Sequence, residues 1–152
     1  MGEDLRVAGL MGRRRVQTGT RLPKALACGM LEDGGRVLFL VRRDDNAVEW
    51  IEMPCVIVPS GRSPFADIKE AFPRLTGIDG QVHEIVLEGR YNAGSRKRRF
   101  MVPCLVFKVT AKSMRAKPAP EFSGFRWLSL EDAKDQKLGK NAAWLRSGKP
   151  AV

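Results

Sequence analysis

Two apolar runs, at 24–31 and 36–42, are separated by Glu32-Asp33-Gly34-Gly35, and an Asp-Gly step between such runs predicts two antiparallel strands joined by a tight turn. Short extended pieces follow at 50–53 and 56–58, the first stopped by Pro54 and the second by Pro59-Ser60-Gly61. The period then changes. Ser63 and Pro64 supply an N-cap and a first-turn proline, and Phe65, Ile68, Phe72 and Leu75 recur at spacings of three and four. That pattern predicts an amphipathic helix closed by Gly77, with Pro73 straining or ending its last turn. Two β-rich runs, 82–91 and 100–110, flank a basic loop at 92–99, a second hairpin with a long tip, and Pro103 implies a bulge or an edge position. A polar loop at 112–120 leads to a strand at 124–128. Ser129-Leu130-Glu131-Asp132 resembles a capping box opening a helix near 130–137, and a last short helix at 141–146 would bury Trp144 and Leu145. Strands interrupted by one mid-chain helix and followed by terminal helices predict an α+β chain, a mixed and partly antiparallel sheet sandwiched by helices.

Length and composition narrow this further. The 152 residues suit one domain, read as 22–146, with a basic, flexible extension at 1–21 and a tail at 147–152. At 43% hydrophobic and 29% charged, the balance is globular, and no apolar run approaches the roughly 18 residues of a membrane span, so no membrane partner is expected. Cys28, Cys55 and Cys104 are odd in number and far apart in the chain, with no CxxC pair, which encodes neither a disulfide framework nor a zinc knuckle. A reducing, cytoplasmic setting fits, and Arg13-Arg14-Arg15 leaves organellar import open as a second reading.

The net charge of +10 is local: 1–24 carries six basic and two acidic groups and 93–117 eight basic groups and no acid, whereas 25–92 has seven basic and eleven acidic groups. Two such stretches, with Arg13, Arg14 and Arg15 in one and Arg96, Lys97, Arg98 and Arg99 in the other, are a candidate face for nucleic acid or polyphosphate, since each neutralised phosphate releases counterions. The alternative is a solvated hairpin loop and a basic tail. Aromatic interleaving is sparse, with only Tyr91 and Phe100 beside the loop.

Several residues fall into one further frame. Pro54, Gly61, Ser63-Pro64, Phe72 and Thr76-Gly77-Ile78 keep the spacing of a strand-loop-helix-loop box. Residues 37–43 precede it as an aliphatic strand ending in arginine, Trp50 stands a few residues before the proline, and Phe125-Arg126-Trp127-Leu128-Ser129-Leu130 follows as a strand-to-helix entry. Over about residues 22–146 the chain thus resembles the Nudix hydrolases, whose box reads G-x5-E-x7-R-E-U-x-E-E-x-G-U with U a bulky aliphatic residue. The resemblance implies a Nudix fold, an α/β/α sandwich around a mixed sheet. It also implies glutamates holding Mg²⁺ or Mn²⁺ against a diphosphate, because hard divalent cations need oxygen ligands.

Laid on that pattern without gaps, the first glutamate is Arg62, the R-E pair is Glu70-Ala71, the E-E pair is Arg74-Leu75, and the paired glycines are Cys55-Val56. Every carboxylate of the pattern is absent and two are replaced by cations. Asp67, Glu70 and Glu52 are the remaining catalytic candidates, Asp67 and Glu70 sharing a helix face at i,i+3; the competing reading pairs Glu70 with Arg62 or Arg74. No metal ligand set is expected, and no cofactor unless the chain is a divergent hydrolase, in which case Mg²⁺ or Mn²⁺ is required. Arg62, Arg74, Arg42 and Arg43 are instead candidates to hold phosphate directly, as guanidinium groups can. His83 lies in a strand with no nucleophile or carboxylate in pattern and reads as a structural or surface histidine, Cys55 as a small buried hydrophobe, and Ser60 and Ser63 as turn and cap residues.

The function expected is a Nudix-fold protein with a degenerate box, without pyrophosphohydrolase activity, that binds a nucleotide or RNA. The alternatives are a divergent Nudix hydrolase of nucleoside diphosphate derivatives and a ribonucleoprotein scaffold component. The partners implied are a nucleotide or RNA, with a second copy of the chain or a ribonucleoprotein as protein partner.

Overall fold

A computed structural model describes residues 21–151, so the candidates Arg13, Arg14 and Arg15 lie outside the described residues. The elements are β1 (Pro23–Asp33), β2 (Arg36–Arg43), β3 (Glu49–Glu52), β4 (Cys55–Pro59), α1 (Pro64–Thr76), β5 (Gly80–Asn92), β6 (Met101–Ala111), β7 (Gly124–Leu128), α2 (Leu130–Lys134), a 3₁₀ helix (Lys140–Arg146) and β8 (Lys149–Pro150). The strands form a mixed sheet. β1 pairs antiparallel with β4 and parallel with β6, and β6 continues antiparallel to β5. β2 lies between β3 and β7, both antiparallel to it, and meets β1 only through the hairpin. This is the expected α+β architecture.

Local chemistry explains most boundaries. Gly34 and Gly35 sit at φ 61° and 82°, the two left-handed residues a primed two-residue hairpin requires. Ser63 accepts the Ala66 amide, and Gly77 at φ 73° closes α1 with its amide on the Pro73 carbonyl. Of the two outcomes expected at Pro73, an ended helix does not occur: α1 runs on to Thr76 and stops at Gly77, as the period predicted. The hydrogen bond Pro73 removes is to the carbonyl of Lys69, an exposed residue where water can substitute, while the buried Phe72, Leu75 and Thr76 hold the turn. Pro103 occupies an edge: β6 pairs β5 there, and its pairing with β1 begins only at Cys104. The expected tail contains β8, whose Lys149 and Pro150 pair with Glu88 and Leu87.

β1 and β2 are buried on both faces, which is why they read as continuous apolar runs. On one side Leu26, Cys28, Phe39 and Val41 pack with Ile51, Met53, Leu138 and Trp144, beneath α2 and the 3₁₀ helix. On the other, Ala25, Ala27 and Leu38 pack under α1 against Ile68 and Phe72. Cys28 and Cys104, distant in sequence, lie with their sulfurs 3.7 Å apart as free thiols in this core, and burial raises the Cys28 pKa well above its ordinary value.

Gly77→Ala should cost about 1–3 kcal/mol, because the site is left-handed and a Cβ would meet the Lys117 carbonyl oxygen at 2.6 Å. Gly34→Ala, also left-handed but with nothing within 4 Å, should cost less. Urea midpoints at constant m-value compare the two.

Candidate functional site

The helix α1 carries the positions where the resemblance places metal-binding carboxylates. Ala71 and Leu75 are on its buried face, packed with Leu40 of β2 and with Phe122, and half-buried Val56 and Ala119 close the cluster. These side chains offer no oxygen. Arg62, before the helix, binds Asp67 through Nε at 3.0 Å and Nη2 at 2.6 Å, and Asp67 raises the arginine's pKa. Arg74 pairs with Glu70 at 3.7 Å, both side chains more than half exposed. Asp67 and Glu70 therefore do not share an environment as expected: Asp67 is buried toward the loop and Glu70 faces solvent, because Arg62 captures the nearer carboxylate.

The third carboxylate candidate, Glu52, is on β3 directly opposite Leu40 of β2, on the sheet face that packs toward α1. It is 6% exposed and accepts from Arg42 Nε at 3.0 Å and from Asn141 Nδ2 at 3.4 Å, with the Cys55 sulfur 4.0 Å away. Arg42 in turn lies over the Phe122 ring, 4.7 Å from its centroid. Tested against Mg²⁺ or Mn²⁺, the residues do not fit. A hard cation needs several convergent oxygens, whereas Asp67, Glu70 and Glu52 are each held by a different arginine and Ala71 and Leu75, packed with Leu40 and Phe122, supply none. Among the described residues no three His, Cys, Asp or Glu side chains converge in a metal-holding group.

A cleft of about 400 Å³ opens beside Glu52, within the roughly 300–1,000 Å³ range of small-ligand pockets, with Arg42, Arg43, Asp44, Trp50 and Leu138 to Asn141 around it. Two of the expected ligand-binding arginines, Arg42 and Arg43, thus reach one cavity; Arg62 and Arg74 do not line it. Trp50 is 36% exposed, with the Lys137 ammonium 5.7 Å from its ring centroid. Asp44 fixes the ring by accepting from Nε1 at 2.9 Å, and also takes the amides of Asn46 and Val48, which holds a turn where Ala47 sits at φ 62°. Arg43 and Arg126 both donate to Glu49 at the rim.

Sequence reasoning missed the other wall. Leu138 to Asn141 reach the cleft because the Ile51 amide donates to the Lys137 carbonyl and the Gly139 amide to the Ile51 carbonyl, a long-range pairing with no local signal. Hydrogen bonds tie the basic tip together. Asn92 Oδ1 accepts the amides of Gly94 and Phe100, and Ser95 and Arg98 close a turn through Ser95 N to the Arg98 carbonyl. Arg96 and Arg99 line a second cavity of about 600 Å³, which Lys97 and Arg98 do not. His83 touches Thr110 Oγ1 at 2.7 Å across two strands, as a surface histidine does.

The fold is that of the Nudix hydrolases. The MutT protein from Methanosarcina mazei Go1 matches with a TM-score of 0.63 at 18% identity, over 86% of this chain and 92% of that one. A NUDIX hydrolase from Nitrosomonas europaea matches at 0.56 and 14% identity, over 76% and 78%. The NUDIX domain of Shewanella oneidensis NrtR, solved with ADP ribose, matches at 0.58 and 11% identity, over 84% of each chain. No family model matches the sequence, and no curated protein does. Among the described residues no helix is long and apolar enough to cross a membrane.

Glu52→Ala should lower stability by about 2 kcal/mol, less than the roughly 3–5 of a fully buried pair because Arg42 is 46% exposed; a urea midpoint checks it. The Trp50 indole holds Asp44, and Arg43 holds Glu49, below the usual carboxylate range. A depressed pKa stabilises above the unfolded value and loses that contribution as pH falls through the folded one, here below about 4. Between pH 5 and pH 3 the wild-type protein should therefore lose stability more steeply than Asp44→Asn/Glu49→Gln, as read from urea midpoints across the range.

Proposed function

We propose that this chain is a Nudix-fold protein whose box is degenerate and that binds a phosphate-rich ligand, a nucleotide or RNA, without hydrolysing it and without a divalent cation. The observation that carries the reading is the burial of Ala71 and Leu75 against Leu40 and Phe122, where the family pattern would set glutamates around a metal. Catalysis by such a box depends on carboxylates delivering the ion to the diphosphate. Here the helix delivers methyl groups, and the nearby carboxylates are spent on arginines. The cleft beside it remains, with an exposed indole for a base or other flat group and with Arg42, Arg43 and Lys140 for anionic oxygens. The NrtR domain with ADP ribose shows that a protein of this fold can hold a nucleotide derivative.

Calorimetric titration with ADP, uridine monophosphate and a short single-stranded RNA, at low salt and in either EDTA or Mg²⁺, tests the reading. Binding of equal strength in both buffers, with no product formed, is the expected outcome. No binding at low salt, or binding that requires Mg²⁺, overturns it. Turnover abolished by Asp67→Ala and by Glu70→Ala would assign the chain to the divergent hydrolases instead.

A further inference from the structure

The cleft and the second cavity meet at Lys140, which lines both. Their charge differs. In the cleft, Arg42 faces Glu52, and Arg43 faces Glu49, so most of the positive charge is already balanced inside the protein. The second cavity lies between the β5–β6 tip and the 3₁₀ helix, and presents Arg90, Arg96, Arg99 and Lys140 with no carboxylate in its lining. Among the described residues none of these four pairs with an acid.

The tip is shaped to hold this arrangement. Asn92 clamps the loop through the amides of Gly94 and Phe100 and donates to the Ser95 carbonyl, and Lys140 Nζ donates to the Gly94 carbonyl at 3.1 Å while lying 5.6 Å from the Tyr91 ring centroid. Four clustered cations held without a counter-charge repel one another, an arrangement that an anionic ligand relieves. Their number exceeds what one phosphate needs, and their position continues from a cleft that ends in an exposed indole.

We infer that the two cavities form one groove for a single-stranded oligonucleotide, with a base against Trp50 and the following phosphodiesters passing over Lys140 into the cavity of Arg90, Arg96 and Arg99. This rests on the proposed phosphate-ligand reading and specifies its ligand class. Base stacking on an aromatic ring and a cationic track for the backbone are the two components of sequence-tolerant single-strand binding. The chemistry is common to RNA and DNA.

Fluorescence anisotropy of labelled hexauridylate and hexadeoxyuridylate, competed with uridine monophosphate, tests the groove in the full chain in EDTA. The hexamers should bind at least tenfold more tightly than the mononucleotide, and the two labelled strands report whether the sugar matters. Arg96→Ala/Arg99→Ala should weaken hexamer binding about tenfold or more and flatten its salt dependence by about 1.4 in log–log slope, for two phosphates at roughly 0.7 each, while mononucleotide binding holds. Arg36→Ala/Lys69→Ala, which removes two exposed charges elsewhere, should change hexamer binding less than twofold. Hexamers that bind no better than the mononucleotide overturn the groove and leave the cleft reading standing, whereas failure of both ligands overturns both. A loss as large for Lys97→Ala/Arg98→Ala would place the effect in the charge of the tip as a whole and overturn the cavity.

Discussion

A carboxylate buried at Glu52 constrains everything around it. At 6% exposure an unpaired charge would cost several kcal/mol, so the surrounding groups are set by the need to satisfy it. Arg42 answers from the neighbouring strand and Asn141 from the 3₁₀ helix, which ties the two walls of the cleft to one another through a single side chain. Arg42, once fixed, lies on Phe122, and Phe122 covers Ala71 and Leu75. The cleft wall and the cluster that covers the helix face are thus joined through one ion pair.

The box residues divide by what they do. Phe72 is fully buried with Gly29 and Gly80 against it: a Cβ on Gly29 would lie 2.6 Å from the ring, and one on Gly80 would lie 3.3 Å from the ring and 2.6 Å from Val109. Thr76 bonds back to the Phe72 carbonyl and accepts the Ile78 amide, finishing the turn that Gly77 closes. These positions seat the helix on the sheet. Packing at these positions is independent of what stands at 71 and 75, here the apolar Ala71 and Leu75, because close-packing and cation binding place separate demands on the same helix.

Local signals carried most of the fold. The Asp33-Gly34-Gly35 turn, the Ser63 cap, Gly77 and the 3.6-residue period of α1 are each readable within a few residues, since the chemistry that makes them is itself local. Whether Pro73 would end the helix or sit within its last turn was not decided locally, because that depends on what holds the flanking residues in the core. Nor was the partner of Arg62: spacing allowed Glu70, and burial chose Asp67. The proximity of Cys28 to Cys104 follows from the parallel pairing of β1 and β6, a contact between strands far apart in the chain. The cleft was half legible: Arg42, Arg43 and Trp50 are near one another in sequence, and Leu138 to Asn141 arrive only through tertiary backbone bonding.

The distribution of charge joins these points. The stretch 25–92 holds more acids than bases, and in the structure its arginines are largely committed to carboxylates of the same stretch: Arg42 to Glu52, Arg43 to Glu49, Arg62 to Asp67 and Arg74 to Glu70. Arg90, the last basic residue of that stretch, instead joins the uncompensated cluster of the second cavity. Charges balanced at short range contribute shape and hydrogen-bond direction but little field beyond a Debye length of about 10 Å, whereas an uncompensated cluster projects attraction and makes binding depend on salt. A net charge of +10 is therefore a poor guide to where an anion would bind in this protein, and the arginines that lack acids are a better one.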